Sequence, residues 1–261
     1  MDTNTVDTRC NELKQTIRSA KRLVVLTGAG ISTESGIPDF RSPGGIWSKY
    51  KTVTIQKFLA SHDARVDYWR YKKETFQSFH SALPNIGHNA LVELERSGKV
   101  QVLITQNIDG LHQQAGNNPD KIIELHGTER VVICLDCGEK YDRECIQERL
   151  KSGEDVPMCD RCEGWLKPAT VSFGQSIPSE VLDRAYHESQ NCDAFLVIGS
   201  SLMVQPASLL PVLAKQRGAW LGILNKDSTP QDSLANWVCH HSAGEILSEA
   251  LDINSKKGLE P

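Results

Sequence analysis

Four short apolar runs constrain this chain more than any other feature: Leu23 to Leu26, Val100 to Ile104, Ala194 to Ile198 and Ala219 to Leu224. Each has the length and content of a strand buried on both faces. All but the second lead into loops rich in Gly, Ser or Asn ahead of a helix-like segment, and Cys10, Leu13, Ile17 and Ala20 precede the first run at helical spacing. That alternation predicts an α/β fold built on a parallel sheet. It also predicts that ligand-binding groups gather beyond the carboxyl ends of the strands.

Composition narrows the functional classes. The chain has 261 residues, of which 39% are hydrophobic, enough to bury one substantial core. Its 29 Lys and Arg against 33 Asp and Glu give a formal charge of −4, and no dense basic block occurs. A surface that displaces counterions from a phosphate backbone is therefore missing, and no direct nucleic-acid partner is expected. No apolar run approaches the roughly 20 residues needed to span a bilayer, and MDTNTVDTRC lacks the order of a secretion signal. The expectation is a soluble, cytoplasmic monomer without membrane contact.

The stretch from Cys134 to Cys162 has many charges, few apolar residues and two CxxC pairs, and it reads as an inserted minilobe. Cys134, Cys137, Cys159 and Cys162 offer four thiolates to one Zn²⁺, a closed and therefore structural site. A redox disulfide is the competing reading, but two paired motifs in one minilobe fit a metal better. The 21 residues between the pairs exceed the usual spacer, and an inserted turn is expected there. Cys10, Cys145, Cys192 and Cys239 are expected to be buried or partly buried thiols. Residues 46–85 carry apolar groups at helical spacing, including Ile55, Phe58, Tyr68, Trp69 and Phe76, and are expected to complete the small lobe.

Chemistry concentrates at the strand ends. In TGAGISTESGIPDFRSPGGIW, Gly28 and Gly30 permit close approach of backbone to a pyrophosphate, with Ala29, Ser32 and Thr33 beside them and Asp39, Phe40, Arg41 and Trp47 further on. Thr33 replaces the third glycine of a dinucleotide fingerprint, and no acidic residue occurs at the ribose-binding spacing, which disfavours a hydride-transferring dehydrogenase. A plain tight turn is the competing reading of the glycines. In VLITQNIDGLH, the strand end carries Gln106, Asn107, Ile108 and Asp109, with donors and acceptors suited to ribose hydroxyls and an amide; a turn built from Asn and Asp would look the same. His126, in IIELHGTE, has an ordinary pKa that suits a general base at neutral pH, although one histidine at a strand end is often structural. GSSLMVQPAS supplies Gly199, Ser200 and Ser201, and LNKD supplies Asn225 and Lys226; both stretches read equally as loops or caps.

Taken in order, GAGIS with GIPDFR, TQNIDGLH, HG, the two CxxC pairs, the Phe-Gly of KPATVSFGQ, GSSL and the Asn after the last run closely resemble the sirtuin family of NAD-dependent protein deacylases. The resemblance runs from Thr27 to about Leu247. It implies a large NAD-binding lobe with a Rossmann-like parallel sheet at about 7–45, 86–128 and 175–251, with a small lobe made of a helical module at 46–85 and a zinc ribbon at 129–174. It also implies that NAD and an acyl-lysine of a protein or peptide meet between the lobes. Gly28, Ala29 and Gly30 would approach the pyrophosphate, Phe40 and Arg41 the nicotinamide side, and Asn107 and Asp109 the ribose and carboxamide. Ser200 and Ser201 would contact phosphate, Asn225 the adenosine ribose, and Ala243 the adenine. Val171, Phe173 and Gly174 fall on the strand that pairs with the peptide.

The chemistry implied is attack of the acyl oxygen on the ribose carbon that carries nicotinamide, proton removal from a ribose hydroxyl by His126 with Asn107 nearby, and release of lysine and O-acyl-ADP-ribose. Two departures stand out: Gln175 where many members have Glu, and Ala169-Thr170 where many have an acidic residue and Val. Members that remove succinyl groups carry Tyr-x-x-Arg in the helical module. YWRYKK does not restore that pair, so a neutral acyl group is expected, with Trp69 and Lys72 near it. NAD hydrolysis or ADP-ribosyl transfer from the same pocket, and a non-catalytic NAD-sensing zinc module, are the alternatives.

Overall fold

The computed structural model describes residues 3–39, 45 and 50–253. Six strands, β1 (Leu23–Thr27), β2 (Val100–Thr105), β3 (Ile122–Glu124), β7 (Ala194–Ile198), β8 (Trp220–Leu224) and β9 (Trp237–Cys239), form one sheet in the order β3-β2-β1-β7-β8-β9. Every pairing in it is parallel. The four apolar runs are its central strands. The edges β3 and β9 have three residues each, too few for a periodic signal in the sequence.

Alternation along the strands divides the core into two layers. Leu23 and Val25 face a cluster with α1 (Thr3–Ser19), α4 (Ile86–Arg96) and α9 (Ala243–Ala250), through Leu13, Ile17, Leu91, Leu94, Ile246 and Leu247. Val24 and Leu26 face the opposite cluster, which holds Ala185 of α7 (Ser179–Gln190) and Leu210 and Ala214 of α8 (Leu209–Gln216). Burial on both faces explains why these strands are continuously apolar. The strand order reverses at β1, between β2 and β7, and the carboxyl-end crevice opens there. A short helix, α5 (Leu111–Ala115), comes after β2 as well, so each of the four central strands leads into a helix or helical turn.

The small lobe is an antiparallel sheet in the order β5-β4-β6, from β4 (Gly127–Cys134), β5 (Lys140–Asp142) and β6 (Leu166–Thr170). The long spacer between the cysteine pairs is not a turn: it folds β5 and then α6 (Arg143–Lys151). Phe58 of α2 (Ile55–Ala60) and Tyr68 and Trp69 of α3 (His62–His80) share one core with Val132, Ile146, Leu150 and Leu166. Polar contacts reinforce it. Arg143 donates to the Lys72 carbonyl at 2.8 Å, Gln147 to the Lys73 carbonyl at 3.1 Å, and Arg65 stacks 3.8 Å from the Trp165 ring centroid. The helical segment and the cysteine ribbon are thus one packed unit. Cys145 corrects an expectation, since its thiol is exposed; Cys10 and Cys239 are buried and Cys192 partly so. The tail after Ile253 lies outside the described residues, and no described helix is long and apolar enough to cross a membrane.

Candidate active site

A cleft of about 620 Å³ opens at the reversal point and runs between the large sheet and the small lobe. Its floor is made by two strand-end turns in backbone contact. The Gly28 and Gly30 amides donate to the carbonyls of Ile198 and Gly199 at 3.0 and 2.8 Å. A Cβ at Gly28 would lie 2.7 Å from the Gly199 oxygen, and one at Gly30 would lie 2.7 Å from the Gly199 Cα. The glycines are therefore required by the packing of one turn on the other, whatever ligand lies above. The helix-like segment after β1 is a 3-10 helix, Ala29–Ser35.

The polar end of β2 is knitted into this floor. Gln106 Nε2 donates to Ser200 Oγ at 2.8 Å; Asn107 Nδ2 donates to the Gly28 carbonyl and Ser32 Oγ, both at 3.1 Å. Ser32 Oγ donates to Asp109 Oδ2 at 2.8 Å, and Asp109 Oδ1 accepts from the Leu111 amide at 2.9 Å. Desolvation raises the Asp109 pKa, and these bonds oppose the rise.

His126 sits between β3 and β4 and lines the cleft. Its Nδ1 is 3.0 Å from the Gln106 carbonyl oxygen. A carbonyl only accepts, so Nδ1 carries the proton and Nε2 keeps its lone pair. Burial lowers the His126 pKa below 6.5, more than the bond to Gln106 raises it, and the ring is a neutral base at pH 7. The His126 carbonyl accepts from the Val171 amide at 2.8 Å, which fixes the segment after β6 beside the imidazole. That segment is a turn, since β6 ends at Thr170. The Phe173 and Gly174 carbonyls accept from Ile55 N and Gln56 Nε2, each at 3.0 Å, and Gln175 Oε1 closes the turn by accepting from the Ser172 amide at 3.1 Å. Gln175 therefore has a local structural use.

Most of the residues singled out in the sequence converge. Gly28, Ala29, Gly30, Asp39, Gln106, Asn107, Ile108 and His126 line the cleft, as do Val171, Phe173, Gly174, Gly199, Ser200, Ser201, Asn225 and Lys72. Others do not. Ser32 and Thr33 lie behind the floor, Lys226 points to solvent, and Ala243 is packed in the core. Asp109 lines a separate cavity of about 400 Å³. Trp69 is fully buried in the small-lobe core, so it is a packing residue and not a substrate contact. Phe40, Arg41 and Trp47 lie outside the described residues. Tyr50, Tyr68 and Tyr71 also line the cleft, and sequence reasoning misses them as site residues; the spacing of Tyr68, Tyr71 and Lys72, at i, i+3 and i+4 on α3, is the available signal.

The four cysteines at the far end of the small lobe have Sγ atoms within 4.8 Å of one another. Cys134 and Cys162 are 3.5 Å apart and Cys137 and Cys159 3.7 Å, beside the roughly 3.8 Å edge of a tetrahedron with Zn–S bonds of about 2.3 Å. The donor set fits zinc. Four thiolates complete its shell, so the ion has no place for water or substrate and serves the fold.

A Rossmann-type nucleotide cleft facing a lobe with a four-cysteine zinc set defines a class of two-lobed, ligand-binding proteins, with a neutral histidine base at the junction. The Sir2 family model matches residues 28–206. An NAD-dependent protein deacetylase of Thermodesulfovibrio yellowstonii is 46% identical over 237 residues, covering 91% of this chain and 92% of its own length. The NAD-dependent protein deacylase 1 of Archaeoglobus fulgidus is 39% identical, with 91% and 95% covered. Among solved structures, a Sir2 variant with a deacetylated peptide and 3′-O-acetyl-ADP-ribose superposes with a TM-score of 0.88 at 38% identity, covering 94% of this chain and 98% of that one. A Sir2–peptide–NAD⁺ complex gives 0.85 at 36% identity, with 92% and 96% covered. The chain belongs to the Sir2, or sirtuin, family.

Metal analysis of the purified protein should find one Zn²⁺ per chain, and Cys159→Ser should lower both the metal content and the melting temperature; a folded protein without metal would contradict the assignment. A second prediction concerns His88 and His112, buried with ring centroids 4.9 Å apart beneath the floor, where Thr27 Oγ1 lies 2.9 Å from His112 Nε2. Burial lowers the His88 pKa to about 4 and that of His112 well below 6.5. The unfolded chain then binds protons that the fold excludes. Stability is complete above about pH 6.5 and falls toward pH 4, by up to about 1.4 kcal/mol per pH unit for each histidine. Urea midpoints at pH 7.5 and 5.0 test this; equal midpoints would contradict neutral burial, and His112→Asn should flatten the dependence.

Proposed function

We propose that the protein is an NAD-dependent protein-lysine deacylase that takes acyl-lysine protein or peptide substrates. The observation that carries this is His126. It is a neutral base with Nδ1 bonded to the Gln106 carbonyl, placed in a cleft whose floor is the strand-end turns and whose rim is the Val171–Gly174 turn. Relatives 46% identical across nine-tenths of the chain are NAD-dependent protein deacetylases, which supports the same assignment.

The residues present fit NAD. Gly28, Gly30 and Gly199, together with Ser200 and Ser201, line one stretch of the cleft and would meet the phosphates, and Asn225, after β8, would hold a ribose. When bound, NAD would supply an electrophilic ribose carbon with nicotinamide as its leaving group and a ribose hydroxyl to accept the acyl group, water completing the release of lysine. His126 Nε2 takes a proton from a ribose hydroxyl, and the Gln106 carbonyl holds the ring in the tautomer that can do so. Asn107 is 7% exposed and anchored through Nδ2 to the floor, which leaves its Oδ1 to accept from a ribose hydroxyl. The tether from the His126 carbonyl to Val171 sets the distance between base and substrate segment. The zinc set is at the far end of the small lobe and holds the β4 and β6 frame from which these groups hang.

His126→Ala should retain NAD binding, measured by titration calorimetry, while NAD-dependent deacylation falls about 10²- to 10⁴-fold, the usual contribution of a general base. Near-normal turnover would refute the assignment of the base. The acyl pocket presents Tyr68 and Tyr71 where an acidic acyl group would need an arginine fork. On one peptide, kcat/KM should therefore be higher for acetyl- or butyryl-lysine than for succinyl-lysine; succinyl as the best substrate would contradict this.

A further inference from the structure

The cleft wall formed by α3 contains a charge that does not act on the cleft. Lys72 comes directly after Tyr71 and lines the cleft with it and Tyr68, and its Nζ lies 5.2 and 5.6 Å from the centroids of the Tyr71 and Tyr68 rings. An ammonium there would ordinarily draw in an anion. Instead Nζ is 2.5 Å from Glu129 Oε2, on β4. Both side chains are nearly inaccessible, at 6% and 10% exposure, so the pair is weakly screened by solvent. The other carboxylate oxygen, Oε1, accepts from Arg143 Nε at 3.1 Å. Arg143 completes its bonding with Gln147 Oε1 at 3.0 Å and the Lys72 carbonyl at 2.8 Å.

The two sides of this pair face different spaces. Lys72 borders the cleft, whereas Glu129 and Arg143 border the separate cavity behind it. Arg143, the second cation on this carboxylate, borders the cavity and not the cleft. Lys167, the remaining lysine of the group, has its pKa pushed down to about 7 by burial, donates to the Pro168 and Thr170 carbonyls and does not line the cleft. A carboxylate entering from the cleft would have to share the Lys72 ammonium with Glu129, and two anions on one ammonium repel each other.

We propose that Glu129 is a specificity-determining residue that excludes acidic acyl groups by holding the Lys72 ammonium from behind. The inference rests on the deacylase reading above and adds to it. The arginine fork is missing, but a cation is present at the acyl end of the cleft, and its neutralisation by Glu129 is what makes the pocket read as uncharged. Removing the carboxylate turns the same wall into an anion site.

The test compares kcat/KM on one peptide carrying acetyl- or succinyl-lysine, with NAD in excess, for wild type, Glu129→Gln and the double variant Glu129→Gln with Lys72→Met. Glu129→Gln should raise the succinyl-to-acetyl ratio at least about tenfold, the scale of a close charge pair in a partly buried site. The double variant should return the ratio to near the wild-type value, because the gain acts through Lys72. An unchanged ratio in folded Glu129→Gln overturns the proposal, as does a gain that survives loss of the Lys72 charge. Losing Glu129 leaves two buried cations without their carboxylate, and where that variant does not fold, Lys72→Met alone decides. A masked ammonium predicts a ratio within about threefold of wild type, and a tenfold fall shows that the charge was already acting on the substrate and overturns the proposal. Wild type turning over neither peptide with NAD would refute the deacylase reading itself. Acetyl turnover with an unchanged ratio in Glu129→Gln would refute only the role of Glu129.

Discussion

The rest of the structure depends on a backbone-to-backbone contact between the turns at the ends of β1 and β7. Gly199 has φ of +63°, and a Cβ on it would lie 2.3 Å from the Ile31 amide nitrogen. Three glycines let the two turns touch, and no side chain could be inserted between them without moving one strand end. The contact closes the crevice at the reversal point of the sheet and makes a floor of amide and carbonyl groups. Gln106, Asn107 and Ser200 bond to that floor or across it, and the Gln106 carbonyl in turn fixes His126. The base is thus positioned through a short chain of hydrogen bonds that begins at glycine packing.

Polar groups in this site divide into those that hold and those that act. Asp109, Ser32 and Gln106 bond mainly to other protein groups, and burial without such partners would be costly. His126 differs: one nitrogen is fixed and the other is open, and burial keeps the ring neutral. The small lobe contributes position more than chemistry. Its cysteine set secures the β4 and β6 frame, and the turn that ends β6 is tied on one side to His126 and on the other to Ile55 and Gln56. Glu129 joins the two parts of that lobe by bridging Lys72 on α3 and Arg143 on α6, so the interaction that packs the lobe also sets the charge seen by the cleft.

Much of this is legible in the sequence, for physical reasons that can be named. Central parallel strands are apolar on both faces and so announce themselves, and CxxC pairs carry their chemistry in their spacing. The edges β3 and β9 are too short for periodicity, and α6 is amphipathic over only nine residues inside a charged spacer, where it reads as a turn. Trp69 reads as an acyl-pocket residue because it and Lys72 fall at the spacing of the Tyr-x-x-Arg pair, as Tyr68 and Tyr71 do one position earlier. A helical pattern does not say which of two adjacent aromatics reaches the cleft; both pack in the small-lobe core, and Tyr68 alone also lines the cleft. Asp109 and Ser32 read as ligand contacts because a sequence shows hydrogen-bonding capacity but not which partner satisfies it. The contact of Gly28 and Gly30 with Gly199 is not legible for a related reason: it joins residues far apart in the chain.

The central claim is that one cleft couples breakage of NAD to removal of an acyl group from lysine. Mass spectrometry of an acetyl-lysine peptide incubated with the protein, with and without NAD, tests it most directly. The account predicts that deacylated peptide, nicotinamide and O-acyl-ADP-ribose form in equal amounts, and that none of them forms when NAD or peptide is left out. Nicotinamide released at the same rate without peptide, or ADP-ribose found attached to protein in place of free O-acyl-ADP-ribose, would contradict it.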